Sequence, residues 1–269
     1  LYHRTCEATG EKLISAFSPE SGVHVFERDY WWSDAWDPKD YGKDYDFSKP
    51  FFAQFKELLN TVPLPATFSG RSVNTFYCNH VGSIKDSYLT FASWSCERIM
   101  HCAKAQKATD TIDCLKVDDT EFGYECIASQ NLHKSRFILN CDKIIDSAFM
   151  YDCRNCTDCF MSSNLRNKSY VFRNKQLSKE EYVEKLTKIN FGSFKETQEL
   201  VTEFKQMIEK SLHVYATLIQ TEKSTGNNLA NVYNCKSCFD VFDDVKDCKW
   251  AIHGGMNIKE NYDCYGMGA

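Results

Sequence analysis

The chain has little proline and little glycine, with five and 12 among its 269 residues, which excludes collagen-like chains and flexible linkers. No apolar run approaches the roughly 18 residues of a membrane-spanning helix, and no glycine-rich phosphate loop is present. The net charge of −5 lacks the basic excess typical of nucleic-acid binding. We therefore expect no membrane span and no nucleic-acid partner.

The ends of the chain carry two expectations. It begins at Leu1 rather than at a methionine and stops at Ala269 within a repeating pattern, which favours a fragment or a processed chain. No positively charged segment followed by an apolar segment stands near Leu1, as a secretory leader would require. We therefore expect a cytoplasmic location.

Cysteine is abundant by contrast, with 14 residues. Cys102, Cys114 and Cys126 follow one another at intervals of 12, and Cys141 and Cys153 are separated by the same interval. A chain with 43% hydrophobic residues can bury a core without disulfide staples. The regular spacing therefore indicates a structural repeat.

Short apolar runs recur between about residues 87 and 172, with centres roughly 11 to 12 residues apart, the spacing of repeated short strands. Turn-forming residues separate them, but hairpin dipeptides are few and no segment is a crossover helix. The pattern predicts a parallel β-solenoid (β-helix) with two strands per coil and about 23 residues per turn. An antiparallel β-sandwich is the alternative. The residues expected to stack inside the solenoid are the cysteines and Phe91, Phe137, Phe149, Phe160 and Phe172.

This organisation divides the chain into four parts. We expect a cap over 1–70, the solenoid over 71–175, an inserted helical hairpin over 176–222, and a truncated continuation of the solenoid over 223–269. Ser178 with Glu181 and Ser193 with Glu196 form two capping-box patterns, which predict the starts of two helices. The expected apolar stripes, which would pack on the solenoid flank, comprise Tyr182, Leu186, Ile189, Leu200, Val201, Phe204, Met207, Ile208 and Leu212.

The stretch from Asp29 to Asp46 is rich in tryptophan, tyrosine and aspartate. Its candidate ligand-binding residues are Trp31, Trp32, Trp36, Asp34 and Asp37. One interpretation is an N-terminal aromatic cap, which covers the unpaired edge of the first coil. The other is a carbohydrate or cation site, in which rings stack on sugars and carboxylates bind hydroxyls or act as an acid–base pair.

Close cysteine spacing raises a third possibility, a structural zinc site. Zinc is typically held by two Cys-x2-Cys pairs, and the candidate ligands are Cys153, Cys156, Cys159, Cys235 and Cys238. The two clusters are far apart in sequence, so packing of the thiols in a ladder, or a disulfide, remains an alternative. Zinc is the one cofactor that the sequence suggests.

Three segments resemble an uncharacterised family of Cys-rich repeat proteins from uncultivated bacteria: residues 6–15, residues 29–55, and residues 151–182. Members of that family often carry an N-terminal zinc-ribbon-like segment, which is absent here, so its ligands have no counterparts in this chain. The resemblance implies the repeat architecture and no activity.

The expected function is that of a non-enzymatic β-solenoid scaffold, which binds a protein or a glycan along a long rigid face. A carbohydrate-binding or carbohydrate-cleaving β-helix and a structural zinc-binding protein are the alternatives. The sequence singles out no catalytic residue.

Overall fold

The structure is a computed structural model that describes residues 1–267, with Met267 as backbone only. The protein is mainly β, and most of its strands pair in parallel. It divides into two compact units, Leu1–Ser211 and Leu212–Ala269. None of the helices among the described residues is long and apolar enough to cross a membrane.

The first unit opens with short strands and helices over residues 1–70. These elements are β1 (Tyr2–Thr5), β2 (Lys12–Ser15), β3 (Val25–Phe26), α1 (Arg28–Trp31), α2 (Phe51–Thr61), β4 (Leu64–Pro65) and β5 (Ser69–Gly70). Strands β1 and β2 form an antiparallel hairpin, whereas β3 and β4 pair in parallel. Strand β5 already pairs with the next part of the chain, so this region leads directly into the repeats.

A stack of parallel strands follows. It comprises β6 (Val73–Phe76), β7 (Asn79–Gly82), β8 (Lys85–Tyr88), β9 (Phe91–Trp94), β10 (Glu97–Met100), β11 (Ala103–Ile112), β12 (Leu115–Leu139), β13 (Asp142–Ile145), β14 (Ala148–Tyr151), β15 (Arg154–Ser163), β16 (Arg166–Phe172) and β17 (Lys175–Gln176). From β5 to β16, each paired residue lies twelve positions before its partner, as in Ala103 with Leu115 and Gln130 with Asp142. The antiparallel sandwich is therefore wrong. The predicted turn of about 23 residues is also wrong, because paired residues in neighbouring strands are twelve positions apart.

Each twelve-residue repeat consists of four triplets. Every third residue from Arg71 to Arg173 has a positive φ near 50°, and from Cys78 to Ser162 the residue after each of them is buried. None of these left-handed residues is valine, isoleucine, threonine or proline, the types that tolerate this conformation least. The four inward rows form one apolar core, in which Cys102, Cys114 and Cys126 lie in succession. The twelve-residue spacing of the cysteines therefore equals the register in which neighbouring strands pair.

Inward cysteine, serine and threonine side chains complete the backbone hydrogen bonding. The amide of Cys126 donates to Cys114 Sγ at 3.3 Å, and the amide of Ala105 donates to Ser93 Oγ at 3.0 Å. Cys114 Sγ itself donates to the carbonyl of Ile112 at 3.2 Å. A small side chain with a donor and an acceptor therefore suits these positions better than a large hydrocarbon, since buried amides need partners.

Strands β16 and β17 end the stack by reversing direction. They pair in antiparallel fashion around Arg173 and Asn174, both at positive φ, as a two-residue hairpin turn requires. Helices α3 (Lys179–Leu186) and α4 (Phe194–Lys210) follow. Ser178 and Glu181 form the predicted capping box, whereas at α4 only the half in which Ser193 accepts from the amide of Glu196 is formed.

The two helices pack against β14, β15 and β16, as expected for the apolar stripe. Leu200 and Phe204 of α4 and Tyr182 of α3 are buried there in a second apolar cluster, which also holds Phe149 and Phe160. The phenylalanine stack predicted for the interior is therefore wrong in its location. None of the five phenylalanines belongs to the inward rows. All of them except Phe91 lie in the second cluster, beneath the helices. Leu212 is likewise outside the expected stripe, with 78% of its surface exposed.

The second unit repeats the parallel pattern on a smaller scale. Its strands are β18 (Leu218–Glu222), β19 (Gly226–Tyr233), β20 (Cys238–Lys246), β21 (Ile252–Gly255) and β22 (Tyr265–Met267). Its own core contains Cys235, Cys238 and Cys248 among aliphatic residues. The register here is uneven, because the separation of paired positions grows from eleven between β18 and β19 to twelve and then thirteen in the later pairs.

Candidate ligand-binding site

The candidate site is the loop between α1 and the short 3-10 turn Pro38–Tyr41. The Glu27 carboxylate starts α1 by accepting from the amides of Asp29 and Tyr30, at 2.7 and 3.0 Å. Asp37 starts the 3-10 turn by accepting from the amide of Lys39 at 2.9 Å. Both caps are carboxylates at the amino end of a turn, where they satisfy free amides. The loop between them carries Trp32, Asp34 and Trp36.

Two of the three tryptophans are fixed by their indole N–H groups. Trp31 donates to the carbonyl of Pro63 at 2.8 Å, and Trp36 donates to the carbonyl of Trp31 at 2.8 Å. The Trp36 ring also meets Phe26 edge-on, with centroids 5.3 Å apart. These contacts use the polar atoms of Trp31 and Trp36 for structure, and their half-buried rings also pack against each other, with centroids 5.7 Å apart.

All five predicted ligand-binding residues line one cavity of about 640 Å³. Trp32 is the most open of the tryptophans, with 64% of its surface exposed, and its ring stands edge-on to that of Trp31 at 4.8 Å. The cavity also includes Ser33, Ala35 and Pro38. The structure therefore brings the five residues together, and ligand binding there stays a prediction.

The cavity suits stacking and hydrogen bonding better than acid–base catalysis. An exposed indole face next to carboxylates is an arrangement that can hold a sugar ring and its hydroxyls. One of the two carboxylates, Asp37, already caps the 3-10 turn, so it serves structure before any chemistry. The geometry favours a binding role for the site.

The five candidate zinc ligands face the two cores. Cys153, Cys156 and Cys159 are at most 1% exposed, and their thiols donate to the carbonyls of Tyr151, Arg154 and Thr157 at 3.3 to 3.4 Å. Cys235 and Cys238 are buried in the second unit, where they donate to carbonyls at 3.4 Å. Across residues 1–267, no group of three or more His, Cys, Asp or Glu residues is arranged to hold a metal ion.

Protonation also disfavours zinc at Cys153 and Cys159, whereas their hydrogen bonds lower the pKa of Cys156 to about 3. Hydrogen bonds with Cys141 and Cys156, together with burial, raise the pKa of Cys153, and a hydrogen bond with Cys156 and burial raise the pKa of Cys159. Zinc binds thiolates, so a raised pKa weakens these ligands. The zinc site stays a prediction, which elemental analysis tests: below about 0.2 zinc per chain, the chain does not hold the one ion that a structural site requires.

The sequence reasoning missed a row of large side chains on the outside of the first unit, all of them exposed except the half-buried Ile112. We call it the outer row; its members follow one another at intervals of 12 and are Phe76, Tyr88, Met100, Ile112 and Tyr124. The signal was present in the sequence as apolar residues at the twelve-residue step, each directly after an inward position. The longer turn predicted from the strand spacing hides this alignment.

Comparison with known proteins gives little. No family model matches the chain, and no curated protein matches it. Among solved structures, the crystal structure of the polySia specific acetyltransferase NeuO aligns over 76% of this chain and 81% of that one. The sequence identity is 8% and the TM-score 0.11, a likeness too low to carry an argument about fold or function.

Proposed function

We propose that this chain is a β-solenoid with a twelve-residue turn and that it acts as a non-enzymatic scaffold, which binds a partner on its outer surface. The constant register of the first unit supports the architecture, because stacked coils pair through their backbones at a fixed step. Four short inward residues per coil fill the interior. Such a column offers long faces to a partner.

The observation that carries the functional proposal is the difference between the side chains inside the repeats and those on their outer surface. The cysteines of the first unit's repeats, from Cys78 to Cys159, are buried and hydrogen-bonded within the core. The outside presents the aromatic and aliphatic outer row, in which Phe76 is 62% exposed. Exposed contiguous apolar surface is typical of protein-binding sites.

Site-specific cross-linking tests the scaffold function. A photoreactive residue placed at Tyr88, on the outer row, should give a discrete protein adduct in a lysate of the organism that encodes this chain. The same photoreactive residue at Gln106 should give no adduct. Gln106 is exposed but lies on another face, two triplets along the chain from the outer-row residue Met100. An adduct at neither position, nor at any other face, would contradict the proposal.

A second candidate function is carbohydrate binding at the cavity of Trp32, which the clustering of the five predicted residues favours. A glycan array probed with the wild-type chain and with Trp32→Ala tests it. Retention by the wild type that the variant loses, at unchanged thermal stability, would support a sugar site. If neither protein is retained on any glycan, this candidate fails. If Trp31→Ala or Trp32→Ala instead causes aggregation or early melting, the segment is the predicted cap.

A further inference from the structure

One outer surface of the first unit is covered in one part and bare in another. The residues that continue the outer row by further steps of 12 are Arg136, Ala148, Phe160 and Phe172. Ala148, Phe160 and Phe172 are at most 8% exposed, because α3 and α4 cover them. Tyr88, Met100 and Tyr124 of the outer row remain 38 to 41% exposed.

Ring contacts connect the covered part with the bare part. Phe204 of α4 meets Phe149 with centroids 5.6 Å apart, and Phe149 stacks on Phe137 at 4.5 Å. Phe137 then meets the ring of Tyr124, the last member of the outer row, at 5.5 Å. The bare surface is therefore continuous with a surface that this chain already uses to hold a helix.

Charge differs between the two parts. In the covered part, Arg173 donates to both carboxylate oxygens of Glu203 on α4, at 2.6 and 2.7 Å. Asp113 and Glu125 lie a whole number of twelve-residue steps before Arg173 and so belong to the same row as Arg173. In the bare part, this row flanks the outer row. Burial, and then the carboxylates of Glu125 and Asp113, raise the pKa of Tyr124, so both acids lie close to the outer row. At Asp113 and Glu125 the bare part therefore offers acids where the covered part offers Arg173, and Asp113 also contacts Nδ1 of His101, in the same row, at 3.1 Å.

We propose that the outer row is the docking site for an amphipathic α-helix of a partner protein, with an apolar stripe flanked by lysine or arginine. The five residues of the row, at about 4.8 Å per step, extend over about 19 Å. At 1.5 Å per residue, a helix of about 13 residues spans that length. This inference rests on the proposed scaffold function and names the partner's chemistry.

A peptide probe tests the proposal on the full chain. The probe is a fluorescent synthetic peptide of residues 178–211, the α3–α4 hairpin, with the substitution E203K. The introduced lysine is repelled by Arg173 at the hairpin's own position and attracted by Asp113 and Glu125. We expect wild-type protein to bind it in anisotropy titrations and Ile112→Glu to weaken binding at least about tenfold. The control Gln106→Glu, on another face, should leave it unchanged.

A charge exchange gives a readout that misfolding would not produce. The double variant Asp113→Lys/Glu125→Lys should lose affinity for the E203K peptide and gain affinity for the peptide with the natural Glu203. Tyr88→Glu provides a second disruption of the row in case Ile112→Glu does not fold.

Three results would overturn the proposal. The first is no binding of the E203K peptide, and the second is binding that Ile112→Glu and Tyr88→Glu leave intact. The third is a concentration-dependent dimer, measured by light scattering, that Tyr88→Glu abolishes, since a second copy would then occupy the row. If the peptide fails while cross-linking still finds a partner on another face, this inference fails and the scaffold function stands.

Discussion

The two units build the same kind of parallel stack with different regularity. The first keeps a twelve-residue step throughout β5 to β16, whereas the second passes from eleven to twelve to thirteen within its five strands. The inward rows of both contain cysteine and small aliphatic residues. The comparison teaches that the number of residues per repeat is set at the left-handed residues, which separate one triplet from the next.

An additional residue is accommodated in the second unit by two successive left-handed residues. Asp243 and Asp244 both have positive φ, and Met256 and Asn257, 13 positions later, repeat the feature. The inward residues Val241 and Val245 are four positions apart there instead of three. The additional residue bulges outward, so the inward rows stay filled.

A missing residue is accommodated by glycine. Left-handed residues fall at Lys223 and then at Asn228, an interval of five where two triplets would give six. Between them, Gly226 has a φ of 140°, and a Cβ there would lie 1.7 Å from the carbonyl oxygen of Cys238. Only glycine allows both this conformation and this approach.

The largest effect is therefore expected for Gly226→Ala. Because neither the backbone angle nor the contact with Cys238 can be kept, the second unit should lose about 3 kcal/mol or more of unfolding free energy. Gly70→Ala is the matched control, since a Cβ at Gly70 meets nothing within 4 Å. Urea unfolding should show a large shift for the first variant and almost none for the second. Equal behaviour of the two would contradict the role assigned to Gly226.

A smaller loss is expected from enlarging an inward residue of the regular unit. Cys114→Phe adds a ring where Cys102 and Cys126 lie in the same row, and overpacking of this kind costs about 1 to 3 kcal/mol. Cys114→Ser keeps the donor and the acceptor, so we expect a loss of less than about 1.5 kcal/mol. Thermal melts of both variants measure the difference. Similar melting temperatures would show that the inward row has room to spare.

The left-handed positions provide a third test. Lys107→Val places a β-branched residue at a φ of 48° and should cost about 1 to 2 kcal/mol, whereas Lys107→Asn should be neutral or slightly stabilising. The same pair of substitutions at Ser237 tests the second unit. A melting temperature that does not distinguish valine from asparagine at either position would refute the importance of the left-handed triplet.

The smallest effect concerns pH and the helices of the first unit. The hydrogen-bonded Arg173 guanidinium lowers the pKa of Glu203 below its ordinary value of 4.5. The pair therefore stabilises the fold above pH 4.5, and this contribution disappears as the pH falls through the lowered pKa. Since both side chains are about 40% exposed, we expect only about 0.5 kcal/mol. Glu203→Gln should remove this part of the acid dependence of unfolding, and an unchanged pH profile would argue against the pair.

The sequence predicts the parallel repeat and its side-packed helices because cysteine spacing and capping residues are local signals. It does not predict the triplet, although all cysteines from Cys78 to Cys159 are separated by multiples of three. Sequence reading looks for periods of 2 and 3.6, and a left-handed residue in every third position belongs to neither. The aromatic candidate site could be predicted because its residues are adjacent in the chain, and ligand binding there stays a prediction.

Long-range contacts explain what sequence reasoning could not place. The bond from Trp31 to the carbonyl of Pro63 joins residues 32 positions apart, and no local pattern reports it. The outer row likewise depends on the turn length, because an error in that length assigns Tyr88 and Met100 to unrelated positions.

The most direct test of the account is the removal of one complete repeat from the regular unit. Excision of residues 103–114 joins Cys102 to Leu115 and leaves each later residue in its row, since Leu115 replaces Ala103 as the partner of Phe91. We predict a folded chain with cooperative melting and an unchanged type of circular dichroism spectrum. Excision of residues 103–113 should abolish folding, because every later inward side chain is displaced from its row and no glycine stands at the junction to absorb the shift. A folded eleven-residue deletion, or an unfolded twelve-residue deletion, would contradict the twelve-residue coil.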